Sequence, residues 1–245
     1  MREPLLAWFR ENGRDLPWRR TRDPYAILVS EVMLQQTQVP RVVPRYERWL
    51  ARWPTVESLA AASAADVIRE WDGLGYNRRA INLHRAARIV AADGWPDELT
   101  ELPGVGPYTA DALRCFALGE PVLPADTNVR RVQDRTGFAF DHGCAQALFD
   151  LGREVCLARI PRCGICPLAE SCPSRGRRYE PLRKQSRFEG SFRQRRARAL
   201  RLVAAAPQPL PGLDGEAVAS LAADGLVEIG GETVSLPGHA ASPGR

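Results

Sequence analysis

The stretch LPGVGPYTA, residues 102–110, decides how the chain around it folds. It places two glycines and two prolines within five residues, and a helix is predicted to begin at Pro107. A Gly-x-Gly turn that opens a helix exposes backbone N–H groups beside the positive helix end, and such a site binds phosphate without a charged side chain. Many junctions between helices use glycine and proline for geometry alone, so the stretch by itself favours a structural interpretation.

Helical patterns dominate on both sides of this turn. Apolar spacing and end signals predict helices from Asp23-Pro24 to about Thr37 and over 41–53, 64–72, 77–92, 107–118, 127–135 and 143–155. Strand patterns are nearly absent before residue 225, so the main body is predicted to be all-α. Helices over 192–206 and 214–223, followed by a hairpin in LVEIGGETVSLPG (226–238) that turns at Gly230-Gly231, indicate a small winged-helix-like module.

Composition indicates a globular protein with a basic segment. The chain has 245 residues, 44% of them hydrophobic, which allows two lobes with a small appendage. No run of about 18 apolar residues occurs, and MREPLLAWFRENG lacks a signal-peptide core, so we expect a soluble cytoplasmic protein in a reducing compartment. Residues 175–198 hold ten basic and two acidic residues. This excess is compatible with a polyanion partner such as nucleic acid, or with a solvated linker.

Four of the six cysteines lie close together in the sequence. Cys156, Cys163, Cys166 and Cys172 have the spacing C-x6-C-x2-C-x5-C, so four thiolates within 17 residues could surround one metal centre. A structural zinc is one interpretation, although zinc ribbons usually have two C-x2-C pairs and this segment has one. One short pair with longer arms favours a [4Fe-4S] cluster.

Two carboxylates stand out by their surroundings. Glu31 lies in ILVSEVMLQQTQV among apolar residues, where burial would disfavour ionisation and suit a general acid. The alternative for Glu31 is an ordinary exposed helix glutamate. Asp126 lies in PADTNVRRV just before a predicted helix, where it could act as an N-cap, as a catalytic group, or as both.

These motifs together resemble the adenine DNA glycosylases of the MutY type, which belong to the helix-hairpin-helix glycosylases with an iron–sulfur cluster. The resemblance covers roughly residues 5–174 and depends on six segments in the same order. They are LPWR (16–19), SEVMLQQTQV (30–39), GLGY (73–76), LPGVGPYTA, DTNVRRV (126–132) and the four-cysteine segment.

The resemblance implies a role for each matching residue. Glu31 matches the catalytic acid, Asp126 the aspartate that supports an oxocarbenium-like sugar, and Tyr108 and Asn128 match residues beside that sugar. Residues that match DNA and base contacts are the duplex wedges Gln36 and Tyr76, the adenine-pocket residues Trp18, Arg19 and Gln146, and the phosphate clamp Gly104, Val105 and Gly106. The four cysteines match the ligands of a [4Fe-4S] cluster.

The implied fold is all-α and two-lobed, with a helical barrel lobe, an iron–sulfur cluster lobe and a small C-terminal winged-helix-like module. The glycosylase core then covers 1–174, with the barrel lobe at 21–125 and the cluster lobe formed by 1–20 with 126–174. A basic linker follows at 175–191 and the module at 192–245.

The sequence departs from the family in three respects. Only 30 residues separate Asp126 from Cys156, so a helix of the cluster lobe is expected to be reduced or missing. The region after the linker is too short for the usual domain that inspects 8-oxoguanine. Tyr108 stands where related bifunctional enzymes have a lysine, and the only lysine of the chain, Lys184, lies in the linker.

The expected function is a monofunctional DNA glycosylase that acts as a monomer on double-stranded DNA and excises adenine opposite 8-oxoguanine or guanine. Two alternatives stay open at this point. One is a mismatch glycosylase for thymine, uracil or hypoxanthine, and the other is a non-catalytic iron–sulfur protein that binds DNA.

Overall fold

The computed structural model describes residues 1–178 and 187–238 and is mostly helical over them. The helices are α1 (Arg2–Asn12), α2 (Pro24–Leu34), α3 (Val39–Arg52), α4 (Val56–Ala60), α5 (Ala64–Glu70), α6 (Arg78–Asp93), α7 (Pro107–Leu113), α8 (Thr127–Thr136), α9 (Ala145–Glu154), α10 (Phe192–Ala205) and α11 (Gly215–Ala223). The strands are β1 (Gln208–Pro209), β2 (Glu228–Gly230) and β3 (Thr233–Ser235). No helix among the described residues is both long and apolar enough to cross a membrane.

The all-α prediction is confirmed, and most predicted helices occur within a few residues of their expected ends. Asp23 caps α2, since its carboxylate accepts hydrogen bonds from the backbone N–H groups of Tyr25 and Ala26. The helix predicted over 107–118 changes form along its length, because α7 passes into a π-helical turn at Arg114–Leu118. Helices α1 and α4 were not predicted.

Contacts within the structure group the described residues into two units, 1–28 with 106–178 and 29–105 with 187–238. The first unit has a core of α1, α8 and α9, in which Leu5, Val129, Val132, Leu148 and Leu151 are fully buried. The spacing of three residues between Val129 and Val132, and between Leu148 and Leu151, places each pair on one face of its helix, and these faces form the core.

The second unit contains α3 to α6 and the C-terminal module. Its tryptophans pack edge to face, with ring centroids 4.7 Å apart for Trp49 and Trp53 and 5.5 Å apart for Trp49 and Trp71. The module consists of α10, α11 and a three-stranded antiparallel sheet in the order β1-β3-β2. The predicted hairpin is present, and Gly230 pairs with Thr233, so the turn residues are Gly231 and Glu232 rather than Gly230-Gly231.

The grouping differs from the predicted domain bounds in two places. At the boundary between the lobes, residues 21–28 and 106–125 group with the segment that carries the cysteines, whereas the sequence assigns them to the barrel lobe. The module residues 192–238 share one hydrophobic core with α5 and α6, where Ala65, Ile68 and Ile81 pack with module residues such as Leu200. The module is therefore continuous with its unit rather than separate from it. Parts of the predicted linker (179–186) and of the predicted module (239–245) lie outside the described residues.

Candidate active site and cysteine cavity

The four cysteines of the C-x6-C-x2-C-x5-C segment line one cavity in the first unit. Cys156 lies two residues after the end of α9, and its backbone N–H donates to the carbonyl of Leu151 at 2.7 Å. Cys163 begins a short 3-10 turn, and Cys172 follows a second one, Ala169–Ser171. Two tight turns thus bring distant cysteines to one place.

Two of the sulfur atoms in this cavity accept N–H hydrogen bonds, whereas the thiol of Cys172 donates to the carbonyl of Arg135 at 3.5 Å. The Nη1 of Arg135 lies 3.4 Å from the Sγ of Cys156, and the backbone N–H of Gly176 donates to the Sγ of Cys163 at 3.3 Å. Burial raises the pKa of the Cys166 thiol, and the three neighbouring cysteines raise it further. Sulfurs that share a cavity and accept N–H bonds are suitable ligands for a thiolate-bound metal group.

Asp126 caps α8, as one of its predicted roles requires. Its Oδ1 accepts hydrogen bonds from the backbone N–H groups of Asn128 and Val129 at 2.8 and 2.7 Å. Its Oδ2 accepts from the side-chain Nδ2 of Asn128 at 2.7 Å. Three donors at a helix N-terminus hold this half-buried carboxylate in one orientation and accommodate negative charge.

Arg131 connects this pair to the start of the cysteine segment. Its Nη2 donates to the Oδ1 of Asn128 at 2.8 Å and to the carbonyl of Gly152 at 2.6 Å, and its Nε donates to the carbonyl of Cys156 at 2.8 Å. A side chain at Gly152 would collide with Asn128, since its Cβ would lie 2.8 Å from the Cβ of Asn128. Asp126, Asn128 and the cysteine segment are therefore one packed hydrogen-bonded network.

Asp150 is a buried carboxylate that the sequence did not single out. Its side chain is 0% exposed and lies between Arg14 and Arg19. The Nε and Nη2 of Arg14 donate to its Oδ1 at 2.8 and 2.6 Å, and the Nη1 and Nη2 of Arg19 donate to its two oxygens at 2.8 and 2.9 Å. Burial alone would raise the pKa of Asp150, but the hydrogen bonds from Arg19 and Arg14 outweigh it and lower the pKa.

The predicted pocket residues Trp18, Arg19 and Gln146 belong to the two segments that meet at Asp150. Trp18 and Arg19 belong to a 3-10 turn, Pro17–Arg19, in which Trp18 is buried. Gln146 lies one turn before Asp150 on the same side of α9, and its side chain is half-buried. Because the guanidinium of Arg19 is bound to Asp150 and only 11% exposed, its contacts fix the turn that carries Trp18.

Tyr108 lies in the first turn of α7 and is half-buried. Its ring packs edge to face with that of Phe149 on α9, at a centroid distance of 6.4 Å. Phe149 makes a similar contact with Phe116 at 6.1 Å. Helix α9 thus carries the predicted residue Gln146 and, through Phe149 and Asp150, contacts two more predicted site residues, Tyr108 and Arg19.

Glu31 lies in the second unit on α2 and is 7% exposed. Every residue from Tyr25 to Met33 is buried, so α2 is covered by protein on all sides. This placement excludes the alternative that Glu31 is an ordinary exposed helix glutamate.

Gln36 and Tyr76 have an unusual backbone geometry. They are the two non-glycine residues with positive φ among the described parts of the chain, at 55° and 46°. Both are exposed, Tyr76 to 39%. Left-handed backbone at non-glycine residues is uncommon and concentrates at functional sites, where the surrounding structure must hold it in place.

Arg79, a residue that no sequence pattern singled out, holds both of these turns. It donates to backbone carbonyls on the two sides, and the acceptors are those of Val32, Met33, Gln35, Leu74, Gly75 and Tyr76, at 2.5 to 3.4 Å. Its Nη2 also donates to the Oγ1 of Thr37 at 3.0 Å. Burial lowers the pKa of Arg79 to about 10, so the guanidinium stays charged at neutral pH.

The glycines of the opening stretch have different physical requirements. Gly104 has a φ of 82°, and a Cβ there would lie 2.9 Å from the Cβ of Asn82. A Cβ on Gly106, the N-cap of α7, would meet nothing within 4 Å. Val105 is buried and its backbone N–H donates to the carbonyl of Leu102, so this N–H supports the turn itself. Gly104 is therefore required by its backbone conformation and its packing against Asn82, whereas the space around Gly106 is open.

A family model and the sequences of known proteins identify the same family. The model of the HhH-GPD superfamily base excision DNA repair protein matches residues 29–147. The adenine DNA glycosylase of Mycobacterium tuberculosis is 40% identical over 288 residues, which cover 98% of this chain and 93% of that protein. The human adenine DNA glycosylase is 37% identical over 230 residues, 78% of this chain and 42% of that protein. The alignment of 288 residues is longer than this chain of 245, so the mycobacterial protein contains residues that this chain lacks.

Solved structures share the fold. A thermostable thymine-DNA glycosylase has a TM-score of 0.64 and 26% identity, covering 70% of this chain and 93% of that one. A trapped endonuclease III–DNA covalent intermediate has a TM-score of 0.60 and 24% identity, covering 70% and 92%. The second likeness shows the fold alone.

Proposed function

The chain belongs to the adenine DNA glycosylases of the HhH-GPD superfamily and excises adenine in base excision repair, and we propose that its substrates are adenines opposite 8-oxoguanine or guanine. The observation that supports adenine as the excised base is the burial of Glu31 in α2, in a chain that matches an adenine DNA glycosylase along nearly its whole length. The proposed partner is double-stranded DNA bound by one copy of the chain.

In the proposed reaction, Glu31 is the general acid. Breaking an N-glycosidic bond to adenine requires protonation of the purine, so that the base leaves as a neutral molecule. The burial of Glu31 in α2 supports this role, because it separates the carboxyl from bulk water, so that its proton can pass to a bound base rather than to solvent. The departing base leaves positive charge on the sugar.

Asp126 is the proposed stabiliser of that charge, with Asn128 as the residue that orients it. An oriented carboxylate stabilises an oxocarbenium-like sugar electrostatically, and two carboxyl groups in different environments divide the work of glycoside cleavage. The three N–H donors on Asp126 support this assignment, because they leave it no freedom to turn away. Tyr108 would lie beside the same sugar.

The remaining predicted residues are proposed to bind DNA. Gln36 and Tyr76 would fill the gap left by the extruded base, an extrusion that costs about a few kcal/mol and is easier at a mispair. Gly104 and Gly106 would bring backbone to a phosphate. Trp18 and Gln146 would line the pocket for the extruded adenine, with Arg19 acting through the turn that carries Trp18.

We propose that the cysteine cavity holds a [4Fe-4S] cluster through Cys156, Cys163, Cys166 and Cys172. Within residues 1–178 and 187–238, no three His, Cys, Asp or Glu side chains are placed to share a single metal ion, although the four cysteines line one cavity. The spacing C-x6-C-x2-C-x5-C, with one short pair and longer arms, supports an iron–sulfur cluster over tetrahedral zinc. When bound, such a group would supply iron ions that cross-link the four cysteine thiolates, and the Arg131 contacts would pass this restraint to Asn128 and Asp126.

The proposed enzyme is monofunctional. A lyase step requires an amine that forms a Schiff base with the sugar, and the family position for that amine holds Tyr108. The only lysine, Lys184, lies outside the described residues. Treatment with borohydride during turnover should therefore trap little covalent complex, and a high yield of trapped complex would contradict a monofunctional enzyme.

A second candidate substrate is thymine opposite guanine. It is favoured by one observation, the structural likeness to a thymine-DNA glycosylase at 26% identity. Removal of a pyrimidine has less need of a buried acid, so Glu31 and the 40% identity to adenine DNA glycosylases favour adenine.

A base-release assay separates the candidates. The substrates are duplexes that contain A:8-oxoG, A:G, A:C, T:G, U:G or hypoxanthine, each incubated with excess enzyme, and the free base is identified by mass spectrometry. We expect adenine from A:8-oxoG and A:G. Release of thymine or uracil alone would support the second candidate, and binding without release would support a non-catalytic protein. Iron and sulfide in the purified protein, rather than zinc, are the expected metal content.

A further inference from the structure

The C-terminal module lies against the turn that carries Tyr76. Within their common unit, the module is anchored by the shared core of α5, α6, α10 and α11. Polar contacts add to it, since the Nε of Arg69 donates to the carbonyl of Ala204 at 3.2 Å and Arg78 pairs with Asp224 at 3.6 Å. Helix α10 is thus fixed relative to α6 and to the turn that precedes it.

The first turn of α10 reaches the side chain of Tyr76. Ser191 caps α10 by accepting from the backbone N–H of Gln194, and this places Arg193 near the helix start. The Nη1 of Arg193 donates to the phenolic oxygen of Tyr76 at 3.3 Å, across 117 residues of sequence. Tyr76 is therefore held at two ends, its backbone by Arg79 and its hydroxyl group by Arg193.

We propose that Arg193 is a positioning residue that sets the orientation of the Tyr76 ring, so that the C-terminal module takes part in selecting the base opposite the excised adenine. This inference rests on the proposed function, in which Tyr76 enters the duplex. The guanidinium of Arg79 lies 5.7 Å from the centroid of the Tyr76 ring, and a charged donor at the hydroxyl group restricts the orientation of the ring further. A ring held in this way can contact one opposite base better than another.

Three variants test the proposal by single-turnover adenine release and by DNA binding. Arg193→Gln removes the charged donor, Tyr76→Phe removes only the hydroxyl group, and the double variant removes both. Arg193→Lys retains a donor, and Arg198→Gln is the matched control, because Arg198 is an exposed arginine on the same helix. Circular dichroism and thermal unfolding check that each variant is folded.

We expect Arg193→Gln to change the ratio of the rates for A:8-oxoG and A:G by about three- to tenfold, the range of one ordinary hydrogen bond that stays accessible to water. Tyr76→Phe should change the ratio similarly, and the double variant should change it no further. Arg193→Lys should restore part of the ratio, and Arg198→Gln should leave it unchanged. If Arg193→Gln does not fold, the ratios for Tyr76→Phe and Arg193→Lys decide the outcome.

Two results would overturn the proposal. One is a wild-type ratio in Tyr76→Phe. The other is that Arg193→Gln weakens binding to both duplexes equally and lowers the salt dependence of DNA binding by about one phosphate contact, with or without Tyr76→Phe. This result would identify Arg193 as a simple phosphate contact. Failure of the proposed function is distinguishable, because the wild-type protein would then release adenine from neither duplex.

Discussion

Replacement of Arg79 by methionine should destabilise the second unit more than any surface change. Methionine fills a similar volume but provides no donor, so it removes bonds to six carbonyls and to Thr37. Hydrogen bonds to a charged group contribute about 1.5–3 kcal/mol each, and a buried acceptor left without a partner costs about 1–3 kcal/mol. These terms overlap, because water can reach the carbonyls near Gln35 and Tyr76. We therefore expect a loss of about 3–5 kcal/mol in the free energy of unfolding.

Thermal and urea unfolding measure this loss directly. For a chain of this length, 1 kcal/mol corresponds to about 2–4 °C, so the Tm should fall by about 6–20 °C. Arg78→Met is the matched control, since the side chain of Arg78 is 69% exposed and its ion pair to Asp224 should contribute less than about 1 kcal/mol. A Tm for Arg79→Met equal to that of the control would refute the conclusion that Arg79 holds the two turns.

Two further predictions concern the first unit and the opening stretch. Asp150→Asn should destabilise the protein by about 3–5 kcal/mol near neutral pH, because it leaves two guanidinium groups around a buried site without their carboxylate. Folding lowers the pKa of Asp150, so its contribution to the free energy of unfolding is present above the unfolded pKa of about 4 and is lost as the pH falls through the folded pKa. Urea unfolding should therefore show the difference in unfolding free energy between wild type and Asp150→Asn becoming smaller below about pH 4. A difference independent of pH would contradict this. Gly104→Ala should lower the free energy of unfolding by about 1–3 kcal/mol, through the positive φ and the contact with Asn82. Gly106→Ala should leave the unfolding free energy unchanged and weaken DNA binding, and equal effects of both changes on stability would argue against the difference between the two glycines.

The helical framework could be predicted because its signals are local. Capping residues, prolines at helix starts and apolar spacing lie within the helices themselves, as at Asp23 and Asp126. Helix α4 was missed because it has only five residues, too few for a periodic pattern. Strand β1 was missed because it has two residues, one of them Pro209, and exists only through pairing with β3.

The candidate catalytic residues could be proposed from motifs, but the residues that hold them in place could not. Arg79 stands in the pair Arg78-Arg79, and nothing in the sequence separates the exposed member from the buried one. Its partners come from two turns about 40 residues apart along the chain, for example the bond to Gln35. Asp150 likewise depends on contacts with arginines more than 130 residues away. Long-range partners of buried charges leave no local pattern.

For Arg19, by contrast, the sequence motif pointed to a role that the structure does not support directly. Its motif suggested a residue of the base pocket, whereas its guanidinium is bound to Asp150. Val105 is similar, because its N–H is used within the turn that the motif assigned to phosphate binding. A motif match identifies the residue type required at a position, and the structure shows which of its groups are already engaged.

The most direct test of the account is adenine release by Glu31→Gln. Single-turnover release from an A:8-oxoG duplex and the dissociation constant for the same duplex are measured for the wild type, for Glu31→Gln and for Glu47→Gln, an exposed glutamate on α3 as control. We predict that Glu31→Gln releases adenine about 100- to 10,000-fold more slowly, the usual contribution of a general acid. Its DNA binding should stay close to that of the wild type, and Glu47→Gln should behave as the wild type in both assays. Adenine release by Glu31→Gln at the wild-type rate would contradict the assignment of Glu31 as the acid.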